Sequence, residues 1–125
     1  MGILSGLLGN ATEVELSDVE KQLENILIEG EKVEKAYKLI RDMFVFTEKR
    51  LILIDKQGVT GKKIEYHSIP YSSISHFSVE TAGSFDLDSE MNIWISSHDV
   101  PLKKQFKKDS NIFNVQKALA YYILK

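Results

Sequence analysis

Asp42-Met43-Phe44-Val45-Phe46-Thr47-Glu48-Lys49-Arg50-Leu51-Ile52-Leu53-Ile54-Asp55 holds two apolar runs on either side of a charged turn, Thr47 to Arg50. The pattern is that of a β-hairpin. Met43 to Phe46 and Leu51 to Ile54 are apolar at every position, whereas a strand with one wet face alternates apolar with polar residues. Both faces of this hairpin must therefore be covered. One is expected to line the core of a small β-domain, and the other to meet either another piece of the chain or another subunit.

Composition bounds what the hairpin can belong to. At 125 residues the chain is expected to form one domain, large enough to bury roughly two thirds of its unfolded surface. Its 43% hydrophobic and 27% charged residues are those of an ordinary globular chain. No apolar run approaches the ~20 residues that a membrane-spanning helix needs. The absence of cysteine excludes disulfides, thiolate nucleophiles and cysteine zinc sites, and Met1 to Ala11 lack the basic start of a secretory signal, so a cytoplasmic location is expected. A net charge of -2 gives no reason to expect nucleic acid as a partner. That charge is uneven: residues 1–34 carry eight acids against Lys21 and Lys32, and the remainder carries 14 bases against ten acids. Such an acidic front either docks on a basic surface or is a solvated helix face.

Working outward toward the amino terminus, Met1 to Ala11 are apolar but studded with glycine, each costing a helix about 1 kcal/mol relative to alanine. The start nearly matches the myristoylation pattern, but Gly6 stands where the serine belongs and Ser5 comes one place early, so lipidation is not expected. Met1, Ile3, Leu4, Leu7 and Leu8 lack an accompanying Lys/Arg face, which favours packing on protein over a bilayer surface. Ser17-Asp18-Val19-Glu20 has the form of a capping box, and Val19, Leu23, Ile26 and Leu27 continue as one apolar helical stripe until Gly30. Residues 1–28 are expected to form a helical arm and residues 29–125 a β-domain with a C-terminal helix. Between them, Val33, Ala36, Tyr37 and Ile40 fit a helical face, while a strand over Glu31 to Arg41 puts charged Lys35 in the wrong place. Periodicity alone predicts helix there.

On the other side of the hairpin, Lys56 to Gly61 form a glycine-marked loop. Lys62 to Ile69 alternate, with Ile64, Tyr66 and Ser68 opposed to Lys63, Glu65 and His67, as in a half-exposed strand. Pro70 removes a ladder donor, Ser72 and Ser73 allow a turn, and Phe77, Val79 and Thr81 resume an inward set that Gly83 ends. Phe85 to Ser96 read as another strand with Met91, Ile93 and Ile95 inward and Trp94 outward. Val100, Leu102 and Phe106 interleave with Lys103, Gln105 and Lys107, and Asp109 or Ser110 then caps a helix from Asn111 to Lys125. The expected core is Tyr37, Leu39, Phe46, Leu53, Ile64, Phe77, Val79, Met91, Ile93, Ile95 and Leu119.

Gly30-Glu31-Lys32-Val33, Ala36-Tyr37, Phe44 to Thr47, Arg50-Leu51, Ile69-Pro70-Tyr71-Ser72-Ser73-Ile74, Phe77 to Gly83 and Ile93-Trp94-Ile95, in that order, resemble the bacterial pleckstrin-homology (PH) domain family. The resemblance spans about residues 14 to 125. It implies a mainly β fold with α: a PH-like, seven-stranded antiparallel β-sandwich or partly open barrel, capped by a C-terminal helix and preceded by an N-terminal helix or helices. It replaces the helix over Glu31 to Arg41 with a strand. Eukaryotic PH domains that bind inositol phosphates carry a basic cluster on their first two strands and a tryptophan in the final helix. This chain has only Lys38 and Arg41 between Tyr37 and Thr47, and Tyr121 and Tyr122 in the helix, so that activity is not carried over. The bacterial resemblance implies ring-like homo-oligomers and no assigned activity.

Catalytic and metal readings are weak. His67, His76 and His98 are the only histidines, and no carboxylate is spaced to complete a zinc site with them. Asp86-Leu87-Asp88-Ser89-Glu90 imitates the start of a calcium loop, but Met91 stands where its glycine belongs. No phosphate loop or nucleophile elbow is present, so neither an enzyme nor a cofactor is expected. Two functions remain. The first is a scaffold module that associates with itself, through Trp94, Phe113, Tyr121 and Leu124 together with Leu23 and Leu27. It rests on the last helix, where Ile112, Val115, Leu119, Tyr122 and Ile123 form a core stripe while Phe113, Ala120, Tyr121 and Leu124 form a second stripe that a monomer leaves wet. The second is a peripheral domain for an anionic lipid headgroup or a peptide, using Lys62, Lys63, Lys103, Lys104, Lys107 and Lys108.

Overall fold

A computed structural model describes residues 12–13, 15–39, 42–57, 63–81, 88–107 and 111–124. In chain order the elements are β1 (Thr12–Glu13), α1 (Leu16–Gln22), β2 (Val33–Lys38), β3 (Asp42–Thr47), β4 (Arg50–Gln57) and β5 (Lys63–Pro70). A 3-10 turn (Tyr71–Ser73) leads to β6 (Ile74–Glu80), β7 (Ser89–Ile95), β8 (Leu102–Phe106) and α2 (Ile112–Ile123). Two antiparallel sheets result, ordered β1-β2-β3-β4-β5 and β6-β7-β8, with β1 only two residues long. β5 and β6 are not neighbours in either sheet, so the sandwich does not close into a barrel.

The hairpin sets the layers. Phe44 faces Leu53 and Phe46 faces Leu51 across the β3–β4 ladder, and all four enter the central core with Met91 and Ile93 of β7, Phe106 of β8, and Val115, Leu119 and Tyr122 of α2. The alternate pairs Val45–Ile52 and Met43–Ile54 face the other way. There Val19 and Leu23 pack on Val33, Ala36, Val45, Ile52 and Ile54, with Leu16, Ile26 and Leu27 at the edge. The second face is thus covered by the chain's own arm. Each fully buried Phe or Leu in these layers contributes roughly 1.5–3 kcal/mol by leaving water. The tight turn between the strands needs no glycine, because Thr47 Oγ1 accepts from the N–H groups of both Lys49 and Arg50, each at 3.0 Å.

The strand β2, in place of a helix, has a specific cause for its misleading spacing. The ladder with β3 slips between Val33 and Lys35, so Val33 is opposite Thr47 while Lys35 is opposite Phe46. The extra residue of this bulge, Glu34, lets Val33 and Ala36 share the outer face three positions apart, a spacing that an unbroken strand cannot produce and a helix can. Tyr37 and Leu39 then fall on the central side.

Other expectations need correction. Helix α1 starts at Leu16, with Glu15 as N-cap and no side-chain cap, so the Ser17 box does not form. Glu20 instead accepts from the backbone N–H of Val33 at 2.8 Å, tying the arm to the start of β2. Ile64 is not core: it lies on the edge strand β5 and is 37% exposed, because the arm's packing stops at β4. Phe77, Val79 and Ile95 are half-buried at the core's rim. Helix α2 begins at Ile112 with Asn111 as N-cap; the expected caps Asp109 and Ser110, the glycines at 58, 61 and 83, and residues 1–11 lie outside the described residues.

Candidate functional site

Two polar constructions organise the end of the molecule where β2, the hairpin turn and α2 meet. The first is buried. Glu31 receives Arg50 through two hydrogen bonds, Nε to Oε2 at 2.9 Å and Nη2 to Oε1 at 2.8 Å. It also accepts from the Thr47 hydroxyl at 2.7 Å and from the N–H of Ile28 at 3.1 Å. Burial by itself would raise the Glu31 carboxyl, but the bonds from Arg50, Thr47 and Ile28 outweigh it and hold the group at about 2. Arg50 reaches further, to the carbonyl of Ile26 at 2.8 Å and to Ser68 Oγ at 3.0 Å, so one side chain joins the arm, the hairpin and β5. Four of the five guanidinium N–H donors are used internally, which makes this cluster a structural tie.

The second construction is open. Tyr71 donates to the carbonyl of Thr47 at 2.7 Å, and its ring stacks on Tyr122 with centroids 4.8 Å apart. Tyr122 stacks in turn on Phe46 at 5.4 Å and donates its hydroxyl to Glu34 Oε1 at 2.5 Å. Burial and the neighbouring Glu34 carboxylate push the Tyr122 phenol well above its ordinary value, so it remains a donor. Beside this bond lies a groove of about 670 Å³ with Tyr37 and Tyr122 at its base, Glu34 and Lys35 of β2 on one side, and Asn114, Lys117 and Tyr121 of α2 on the other. Tyr121 meets Tyr122 edge-on at 4.9 Å and is 72% exposed. The β2 bulge places two consecutive charged side chains along the same groove.

The residues singled out in the sequence are dispersed. Phe113, Tyr121 and Leu124 are exposed on α2, at 57%, 72% and 65%. Leu23 is fully buried and Leu27 half-buried within the arm's own cluster. Trp94 faces away from the core but is half-covered, because His76 stacks on it at 4.3 Å. Of the basic set, Lys62 and Lys108 lie outside the described residues, while Lys63 and Lys107 are exposed. Lys103 bonds Asn92 Oδ1 at 3.1 Å and approaches Glu90 at 3.7 Å. Lys104 lies between Asp42 at 3.7 Å and Asp55 at 3.8 Å, its charge already answered. Burial lifts the Asp42 carboxyl above its usual range, with Lys104 opposing the rise and Asp55 adding to it.

His67 sits on β5, His76 on β6 and His98 in the turn after β7, where its Nδ1 lies 3.2 Å from the Ser96 carbonyl. Among the described residues no three His, Asp or Glu side chains are grouped to hold a metal. Asp86 and Leu87 of the calcium-like run lie outside them. Among the same residues no helix is long and apolar enough to cross a membrane. Neither polar construction was found from the sequence. Glu31 and Arg50 are 19 positions apart with no local signal, and the groove depends on a bulge that shifts Lys35 from its periodic place.

Residues 2–123 match the family described as Bacterial PH domain. An uncharacterized protein of Bacillus subtilis (strain 168), YjqA, is 63% identical over 121 residues, covering 96% of this chain and 97% of its own. The crystal structure of a pleckstrin homology domain from Shewanella amazonensis SB2B superposes with a TM-score of 0.87 at 54% identity, covering 99% of this chain and 100% of that one. A DUF1696 family protein with a pleckstrin-homology domain from Shewanella loihica PV-4 gives 0.79 at 54% identity, covering 93% and 99%.

Proposed function

The chain belongs to the bacterial PH domain family, and on that premise we propose that it is a non-catalytic, cytoplasmic interaction module that associates with itself into a closed homo-oligomer. The observation that carries this is the outer face of α2. Ile112, Val115, Leu119 and Tyr122 bury one side of the helix in the core, while Phe113, Tyr121 and Leu124 remain more than half exposed on the other. Aromatic and large aliphatic side chains of this kind are enriched at the buried centres of interfaces. The hairpin's outer face adds no support, since α1 covers it within the chain.

Closed rotational symmetry is expected, because a head-to-tail contact that fails to close yields filaments. The anionic-headgroup reading is the weaker one, since Lys103 and Lys104 are held by Asn92, Glu90, Asp42 and Asp55. Size-exclusion chromatography with light scattering tests the proposal: a multiple of 14.3 kDa is expected at micromolar concentration, reduced in Phe113→Glu and Tyr121→Glu variants. A mass of 14.3 kDa for the unaltered protein ends it. Salt-sensitive binding to anionic vesicles by a monomer would favour the headgroup reading instead.

A further inference from the structure

We infer that the groove between β2 and α2 is a binding site for a short acidic peptide segment that carries an aromatic or large apolar side chain. The groove joins two recognition chemistries at one place. Its base is formed by the edges of the buried Tyr37 and Tyr122, and its rim by the exposed Tyr121, so an apolar side chain entering it packs against the Tyr121 ring. Lys35 and Lys117 stand on opposite walls, and among the described residues neither belongs to an ion pair. They are therefore free to attract carboxylates, in contrast to Lys104, which sits between two acids. The Asn114 amide donates one N–H to Asn111 Oδ1, and its oxygen and second N–H remain for a peptide backbone.

The site is held in shape before any ligand arrives. Tyr122 is clamped by the stack with Phe46 and Tyr71 and by its hydrogen bond to Glu34, which reduces the ordering cost of binding. A volume of about 670 Å³ lies within the ordinary range of about 300–1,000 Å³ for binding clefts. The same Glu34 decides the class of ligand. Two ammonium groups face one carboxylate along the walls, a balance that suits a peptide with one or two acidic side chains and disfavours a multiply phosphorylated headgroup.

The groove shares Tyr121 with the α2 face proposed for self-association, so a bound peptide should compete with assembly; binding is read by heat and assembly by mass, so the two proposals can fail separately. Isothermal titration calorimetry on the full chain would use an acetylated and amidated peptide of sequence Glu-Phe-Gln-Leu-Asp, which carries two acids, with its Gln-Phe-Gln-Leu-Asn counterpart as the neutral probe. Saturable binding of the acidic probe is expected, weakened about tenfold or more for the neutral one and in Lys35→Glu and Lys117→Glu variants, each tenfold step being about 1.4 kcal/mol. Lys63→Glu, on the distant edge strand, should leave the affinity unchanged. No binding at millimolar peptide, equal affinity for the two probes, or indifference to Lys35→Glu and Lys117→Glu would overturn the inference. So would tighter binding of anionic lipid vesicles that is lost in Lys117→Glu, since it would assign the same groove to a headgroup.

Discussion

At the residue scale the strongest constraints are single polar groups that no apolar pattern announces. Glu31 ionises near 2 in the folded chain against an ordinary 4.5, so the folded state stabilises its charged form. A depressed carboxylate contributes stability above its unfolded value and loses it as pH falls through the folded one, here between about 4.5 and 2. At about 1.4 kcal/mol per unit, that contribution is on the order of 3 kcal/mol at neutral pH. Glu31→Gln should therefore lower stability by a few kcal/mol at pH 7, since it also leaves Arg50 without its carboxylate, and should flatten the fall in stability between pH 4.5 and 2. Urea unfolding at pH 7 and pH 3 measures both, and parallel losses in variant and wild type would refute the assignment. Ser97, in the turn after β7, has φ 73°, a left-handed conformation that a side chain disfavours. Ser97→Gly should raise stability by about 0.5–1 kcal/mol, read as an increase in the thermal midpoint.

Among elements, α1 matters most for what the protein can do. With the turns that follow it, α1 buries the hairpin's outer face, and Leu23 is fully buried there within its own chain. Leu23→Ala should then cost about 2–4 kcal/mol in the unfolding free energy. A change below ~0.5 kcal/mol accompanied by a smaller assembly would return Leu23 to an intersubunit role. The bulge in β2 has a comparable weight: the residue it inserts, Glu34, reaches Tyr122 of α2 and so sets one wall of the groove. Edge strand β5 shows the opposite case. Its alternation was legible, but which side would be covered depended on how far the arm extends, and Ile64 and Tyr66 stay exposed.

For the whole molecule, the open sandwich has to be held across its gap, and Lys104 does so by joining β8 to Asp42 of β3 and Asp55 of β4. Asp42 keeps its proton more readily folded than unfolded, so its ionisation disfavours the folded state increasingly as pH rises through its raised value. Lys104→Met removes the one cation that, among the described residues, pairs with these carboxylates. The loss should be on the order of 1–3 kcal/mol at pH 7 and smaller near pH 4, where Asp42 is more nearly neutral. Thermal unfolding at the two pH values checks the sign; a larger loss at the lower pH would contradict it.

The sequence by itself determined the hairpin, the doubly apolar character that required two covering layers, the strands from Lys63 to Phe106, and the amphipathic last helix. Those features are local: a period of two or of 3.6 is written in neighbouring residues. Resemblance of the ordered motifs to a family supplied the strand at Val33–Lys38 that periodicity opposed. Only the tertiary structure decided that the second layer is the chain's own arm, that Glu20 leaves a capping box to bind Val33, and that Lys104 stands between two acids. It also decided the groove, whose walls come from residues about 80 positions apart, Lys35 and Lys117 among them. The physical reason is common to all of these: a bulge, a buried ion pair or a paired lysine is selected by what lies across the fold, and apolar periodicity carries no record of that partner.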